Sequence, residues 1–222
     1  MIKQIIFDMD GLMIDSERAM WMINEKQVLK EFGYEVDEPF LLTLMGQGRE
    51  VSHQSFRRRY GQDFPIERYY KRIDELNEKF VKEDRIPLKK GLLELLDYLK
   101  DKDIKLTVGT SSPRDYVDSI LSQKGIIDKF ENIVCGNDVK HGKPEPDIYL
   151  KCMSYYDFDP QEVIVFEDAD TGGRAALAAG ARLIIVPDLG SLTKEVESKA
   201  FKIINSLDEA IEIIDKEIWE NH

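Results

Sequence analysis

Residues 2–11 read Ile2-Lys3-Gln4-Ile5-Ile6-Phe7-Asp8-Met9-Asp10-Gly11, an apolar run that stops on two acids and a glycine. A short, isoleucine-rich run of this kind reads as a central strand of a parallel sheet. A strand buried on both faces loses the apolar/polar alternation of a half-buried one. Asp8 and Asp10, one residue apart, point to the same side of the chain where the strand runs out. In open α/β sheets, ligands gather outside the carboxyl ends of the strands. One acid of such a pair can attack or ligate a metal while the other handles a proton. An acidic N-cap before a helix fits Asp-x-Asp-Gly alone equally well.

Further apolar runs follow, each leading into a helical pattern. Lys105–Gly109, Asn132–Cys135, Val163–Phe166, Leu183–Val186 and a weaker Lys202–Ile204 read as strands. Helices are expected over 91–100, 113–124, 146–155, 172–179 and 207–217. Strands alternating with helices of this length predict βαβ units and a parallel sheet covered on both faces. The alternation is absent before residue 91. Residues 16–84 read as helix, with Trp21, Ile23, Val28, Leu29 and Phe32, then Tyr69, Ile73, Leu76 and Phe80, at roughly helical spacing. Gly33, Pro39, Gly46 and the stretch from Gly61 to Pro65 divide that segment. The expected organisation is an α/β core over 1–15 and 85–222 with a helical cap over 16–84, inserted after the first strand.

The 222 residues are 42% hydrophobic and 33% charged, enough apolar material for a sizeable core. A net charge of −12 without a long basic run argues against nucleic acid or an anionic membrane as partner. The one basic cluster, Arg57-Arg58-Arg59, reads as a solvated helix face. Cys135 and Cys152 lack metal-ligand or CxxC spacing, which fits reduced thiols. With no membrane-length apolar stretch and no signal layout, the expectation is a cytoplasmic protein, and a monomer.

Three more strand ends carry chemistry. Thr110, with Ser111 and Ser112, closes the second strand and offers hydroxyl and N–H groups to an anion, or serves only as a helix N-cap. Gly142-Lys143-Pro144-Glu145-Pro146-Asp147 holds a lysine between prolines, a point charge for phosphate or for carboxylates. Glu167-Asp168 ends the fourth strand, two acids suited to a hard divalent cation, with Asp170 left as a local cap. Four strand ends thus supply two acids, a hydroxyl, a lysine and two acids. Mg²⁺ takes one or two carboxylates plus water and phosphate oxygens, and lysine and hydroxyl would orient a phosphoryl group beside it.

With FDMDG, VGTSS, GKPEPD and FEDADTGGRAALAAG in this order, the chain resembles the haloacid dehalogenase superfamily. It is most similar to the phosphatase and β-phosphoglucomutase-like branch, and the likeness spans nearly the whole length. The resemblance implies a Rossmann-like parallel sheet with a small helical cap. It implies Asp8 as the nucleophile that becomes an aspartyl-phosphate, and Asp10 as general acid and base. Mg²⁺ would be held by Asp8, Asp168 and the main-chain carbonyl of Asp10, with Glu167 ligating directly or through water. Thr110, Ser111 and Lys143 would bind the phosphoryl oxygens, and the unmet charge of the acids would raise one carboxyl pKa. Gly46 and Arg49 would form the cap's substrate loop, although a surface arginine reads the same way.

Three functions follow from these expectations. The first is Mg²⁺-dependent hydrolysis of a small phosphorylated metabolite, with sugar and polyol phosphates leading. The second is a sugar phosphomutase, against which the histidine of β-phosphoglucomutases is matched here by Met20. The third is a non-catalytic binding protein on the same fold. Asp10 itself speaks against carbon–halogen cleavage, whose enzymes lack that second aspartate.

Overall fold

The computed structural model describes residues 1–44 and 49–219. Six strands form one parallel sheet: β1 (Gln4–Phe7), β2 (Lys105–Gly109), β3 (Asn132–Val134), β4 (Val163–Glu167), β5 (Arg182–Ile185) and β6 (Lys202–Ile203). Their order is β3-β2-β1-β4-β5-β6. The chain winds one way from β1 and the other way from β4, so a crevice opens outside the carboxyl ends of these two neighbours. Every residue of β1 and β4 is buried, in keeping with their continuous apolar runs. The two residues of β6 are exposed at the sheet edge, where the sequence signal was weakest.

The described chain falls into two compact units, Met1–Ile14 with Leu88–His222, and Asp15–Pro87. The second unit is helical. A turn of π-helix, Glu17–Met22, runs into α1 (Ile23–Glu31), followed by α2 (Glu38–Thr43), α3 (Arg49–Tyr60) and α4 (Ile66–Lys82). Pro39 sits in the first turn of α2, where a missing N–H costs nothing, and the Asp37 side chain accepts from Phe40 N at 3.0 Å. Val28, Leu29, Phe56, Phe64, Tyr69 and Ile73 form its core. Ile23, which helical spacing assigns to that core, is 46% exposed. The wider π turn before it advances less per residue and rotates position 23 off the buried face.

In the sheet unit the helices are α5 (Leu92–Leu99), α6 (Arg114–Gln123), α7 (Asp147–Met153), α8 (Asp170–Ala178), α9 (Lys194–Lys199) and α10 (Ala210–Trp219). Ile6, Val165, Leu183 and Ile185 pack with Ile148 of α7 and with Ala175 and Ala176 of α8. Each such large side chain contributes roughly 1.5–3 kcal/mol by leaving water. Phe7, on the opposite pleat, stacks on Phe166 with ring centroids 5.3 Å apart. Among the described residues no helix is long and apolar enough to cross a membrane.

Candidate active site

The register aligns Phe7 with both Val108 and Phe166, so the residues that follow emerge side by side at the crevice. Asp8, Thr110, Glu167 and Asp168 are all buried there. Asp8 N donates to Phe166 O at 3.0 Å, and Thr110 N donates to Val134 O at 3.0 Å, so the ladder extends through both residues. Asp8, Glu167 and Asp168 each offer a carboxylate oxygen, all within 4.8 Å of one another.

Lys143 reaches this cluster from the loop between β3 and α7. Its ammonium lies 2.5 Å from Asp8 Oδ1 and 2.6 Å from Glu167 Oε1. The loop runs through a cis Lys143–Pro144 peptide. Tyr149, one turn into α7, donates its hydroxyl to Glu167 Oε1 at 2.5 Å, and its ring lies beneath the Lys143 ammonium at 4.8 Å. The second Glu167 oxygen accepts from the main-chain N–H groups of Asp168 and Ala169 at the start of α8. A helix N-terminus is electrostatically suited to that carboxylate.

Asp10 turns elsewhere. Its carboxylate accepts from Ser112 Oγ at 2.6 Å and from Tyr116 OH at 3.2 Å. The Thr110 hydroxyl accepts from Ser112 N at 3.1 Å, which fixes a turn; α6 begins after Pro113, so Thr110 is not its cap. Ser111 stands exposed between them. Asp170 opens α8 and accepts from Thr193 N and Oγ1 at 2.8 and 2.6 Å, away from the cluster. Gly46 lies outside the described residues. Arg49 belongs to the helical unit, where its guanidinium forks onto both Asp74 oxygens and lies 4.9 Å from the Tyr70 ring centroid.

Tyr116 and Tyr149 escaped the sequence reading because both lie within helices at positions that look like ordinary core. Two glycines explain part of the motif spacing. Gly11 has φ +85°, and a Cβ there would overlap the Asp168 carboxylate. A Cβ on Gly172, inside α8, would overlap the Glu167 carboxylate.

Burial pushes the Asp8 carboxyl up to about 8, with Lys143 pulling it down and Glu167 adding to the rise. For Lys143 burial works against its charge, but Asp8 and Glu167 outweigh it and hold the ammonium above its ordinary range. Burial, with Glu167 next to Tyr149 and Asp10 next to Tyr116, keeps both phenols protonated donors. One ammonium among three buried carboxylates leaves negative charge unmet. An all-oxygen donor set of this spacing fits a hard divalent cation.

Residues 5–186 match the sequence profile described as haloacid dehalogenase-like hydrolase. The chain belongs to the haloacid dehalogenase-like hydrolases. Among curated relatives, it is 30% identical to a phosphorylated carbohydrates phosphatase of Thermotoga maritima, over 82% of this chain and 84% of that protein. It is likewise 30% identical to the fructose-1-phosphate phosphatase YqaB of Escherichia coli, over 79% and 92%. A solved structure from Thermotoga maritima, described as a candidate β-phosphoglucomutase, superposes with a TM-score of 0.80 at 27% identity, covering 97% of this chain and 99% of that one. This haloacid dehalogenase-like hydrolase shares with that structure the parallel α/β architecture.

Proposed function

We propose that this enzyme is a Mg²⁺-dependent phosphatase that hydrolyses a small phosphomonoester, a sugar or polyol phosphate, through an aspartyl-phosphate on Asp8. The observation that carries the reading is the convergence of Asp8, Glu167 and Asp168 on one point with Lys143 between them. A phosphoryl group carries its charge on peripheral oxygens, so a site for it needs cationic and hydrogen-bonding neighbours around an anionic nucleophile. The phosphatases named among the relatives support the same class, and two act on sugar phosphates by name.

Asp8 attacks phosphorus as the bond to the leaving oxygen breaks, and protonated Asp10 gives its proton to that oxygen. Water then attacks the aspartyl-phosphate and passes a proton to Asp10, which releases inorganic phosphate and restores Asp8. Splitting the transfer this way replaces one difficult step by two easier ones. Thr110, Ser111 and Lys143 hold the phosphoryl oxygens. Ser112 and Tyr116 hold the Asp10 carboxylate by both oxygens, which fixes the direction of its proton. Asp8, Glu167 and Asp168 would hold Mg²⁺, which when bound supplies charge neutralisation for the phosphoryl group.

A sugar phosphomutase is the second reading, favoured by the description of the T. maritima structure. The two separate on the acceptor that discharges the phosphoenzyme, water or a sugar hydroxyl. Phosphate release is to be measured over a panel of sugar, polyol and nucleotide monophosphates, with Mg²⁺ and with EDTA. Release from one class that EDTA abolishes and Asp8→Asn lowers at least about 10³-fold is the expected result. Full turnover by Asp8→Asn rules out the aspartyl-phosphate. Isomerised sugar phosphate without free phosphate rules in the mutase.

A further inference from the structure

The helical unit holds a cavity of its own, of about 140 Å³. A cavity of that size in a protein interior is large enough for a benzene-sized molecule. Trp21 and Phe56 give it apolar walls, while Glu25, Arg49, Ser52 and Asn77 bring polar groups to its lining. Glu25 is the unexpected member. Only 2% of it is exposed, and fully buried glutamates are rare unless paired. Its carboxylate accepts from Tyr69 OH. Burial pushes this carboxyl up to about 7, with the Tyr69 bond and the Arg49 charge pulling it down. A carboxylate has about four lone-pair sites, and the phenol takes one of them, so the side chain retains acceptor capacity toward the cavity.

The one basic group in the lining is spent. Arg49 donates to both oxygens of Asp74, which makes a bidentate pair, the strongest geometry for a guanidinium and a carboxylate. Glu25, Arg49 and Asp74 together sum to a net negative charge once Glu25 ionises. A second phosphate placed here would meet a carboxylate and an already neutralised arginine. An uncharged hydroxyl meets the reverse, since Glu25 accepts from it in either protonation state. Asn77 uses its Oδ1 to accept from Asn24 at 2.7 Å, which leaves its NH₂ as a donor. The flat apolar faces of Trp21 and Phe56 suit the C–H faces of a polyol. Small-molecule sites commonly combine apolar walls with a few convergent polar groups in this way.

We propose that this cavity binds an uncharged, hydroxyl-bearing fragment of roughly three to six carbons, an alditol or a monosaccharide ring, and that Glu25 is the group that selects it over an anion. As a binding site the assignment stands apart from the phosphatase reading. That the fragment is the substrate's own hydroxylated part rests on that reading.

The test uses the full chain carrying Trp219→Phe, so that Trp21, which lines the cavity, is the sole tryptophan. Its fluorescence is titrated with erythritol, xylitol and glucose, and with sulfate and tetramethylammonium as charged probes. A saturable response to a polyol, weakened about five-fold or more in Glu25→Gln and also reduced in Ser52→Ala, is expected. Thermal melts of each variant separate lost binding from lost folding. No saturable polyol response, an unchanged affinity in Glu25→Gln, or tighter binding of either ion overturns the proposal. Where turnover is found, the ratio of kcat/KM for a sugar monophosphate over the matching bisphosphate is expected to fall at least five-fold in Glu25→Gln. The titration decides the cavity even if no phosphatase activity is found, so the two readings fail separately.

Discussion

Lys143 Nζ lies 2.5 Å from Asp8 Oδ1, although 135 residues separate them along the chain. The lysine sits in a loop after β3, the aspartate at the end of β1, and the two meet only because the sheet places their strand ends side by side. Lys143 also meets Glu167, so a single ammonium compensates acids from two strands. Removing one member of a buried ion pair usually costs roughly 3–5 kcal/mol, because the other charge is left unmatched. Lys143→Met is therefore expected to lower Tm in metal-free buffer and to lower phosphate release at least about 100-fold. Mg²⁺ should raise the Tm of the variant more than that of the wild type, since a cation replaces the missing charge. A variant that melts with the wild type would show that the acids do not depend on Lys143.

Tyr116 and Ser112 both donate to Asp10, and neither is proposed to touch phosphorus. Tyr116→Phe deletes one hydrogen bond and nothing else of size. A bond to a charged group contributes roughly 1.5–3 kcal/mol, so kcat should fall about 10-fold or more while KM changes little. Steady-state kinetics distinguishes this from a packing defect, which would lower Tm with kcat preserved.

Gly172 lies within α8, where alanine is favoured over glycine by about 1 kcal/mol on helix propensity alone. Space decides the other way, because the added Cβ overlaps the Glu167 carboxylate. Gly172→Ala is expected to lose stability and to need several-fold more Mg²⁺ for half-maximal activity. A gain in Tm would mean that α8 shifts freely and that the glycine is not needed for the cluster.

Glu25 gives a pH signature distinct from the catalytic acids. Its carboxyl is raised by burial from an ordinary 4.5 to about 7, so between those values the folded chain holds a proton that the unfolded chain has lost. Stability then falls as pH rises through that window; the Glu25 contribution is complete below it and absent above it. The shift corresponds to roughly 3 kcal/mol across the window. In Glu25→Gln that part of the slope vanishes, so the variant should gain on the wild type between pH 5 and pH 8 in urea unfolding. Parallel profiles would show that the carboxyl titrates alike in both states.

Much of the sheet was legible because its strands are uninterrupted apolar runs that stop on polar residues. Such a break marks both the strand and its functional end, as at Phe7-Asp8 and Phe166-Glu167. Helix α9 left no such mark. Its six residues, Lys194 to Lys199, include one apolar side chain, Val196, and that single buried contact with the Thr193 cap holds it in place. Tyr149 and Tyr116 were opaque for the opposite reason, since an aromatic on a helix face is the usual look of a core residue. What makes them polar partners is the carboxylate opposite, and helical spacing carries no information about that. Buried Glu25 was hidden in the same way, because the charged residue count of a helix does not say which charge faces inward.

The central place of β1 has a consequence for how the chain is made. The strand that ends in Asp8 pairs with Lys105–Val108 on one side and with Val163–Phe166 on the other. At roughly 5–20 residues per second, the ribosome needs on the order of ten to thirty seconds to deliver the second partner after β1 has emerged. During that interval four apolar residues wait with both hydrogen-bonding edges open, while the 73 residues from Asp15 to Pro87 have already been delivered as a compact unit of local helices. The first strand of the nascent chain is thus among the last to be secured, which makes it the natural handle for a chaperone and the first place where synthesis can go astray.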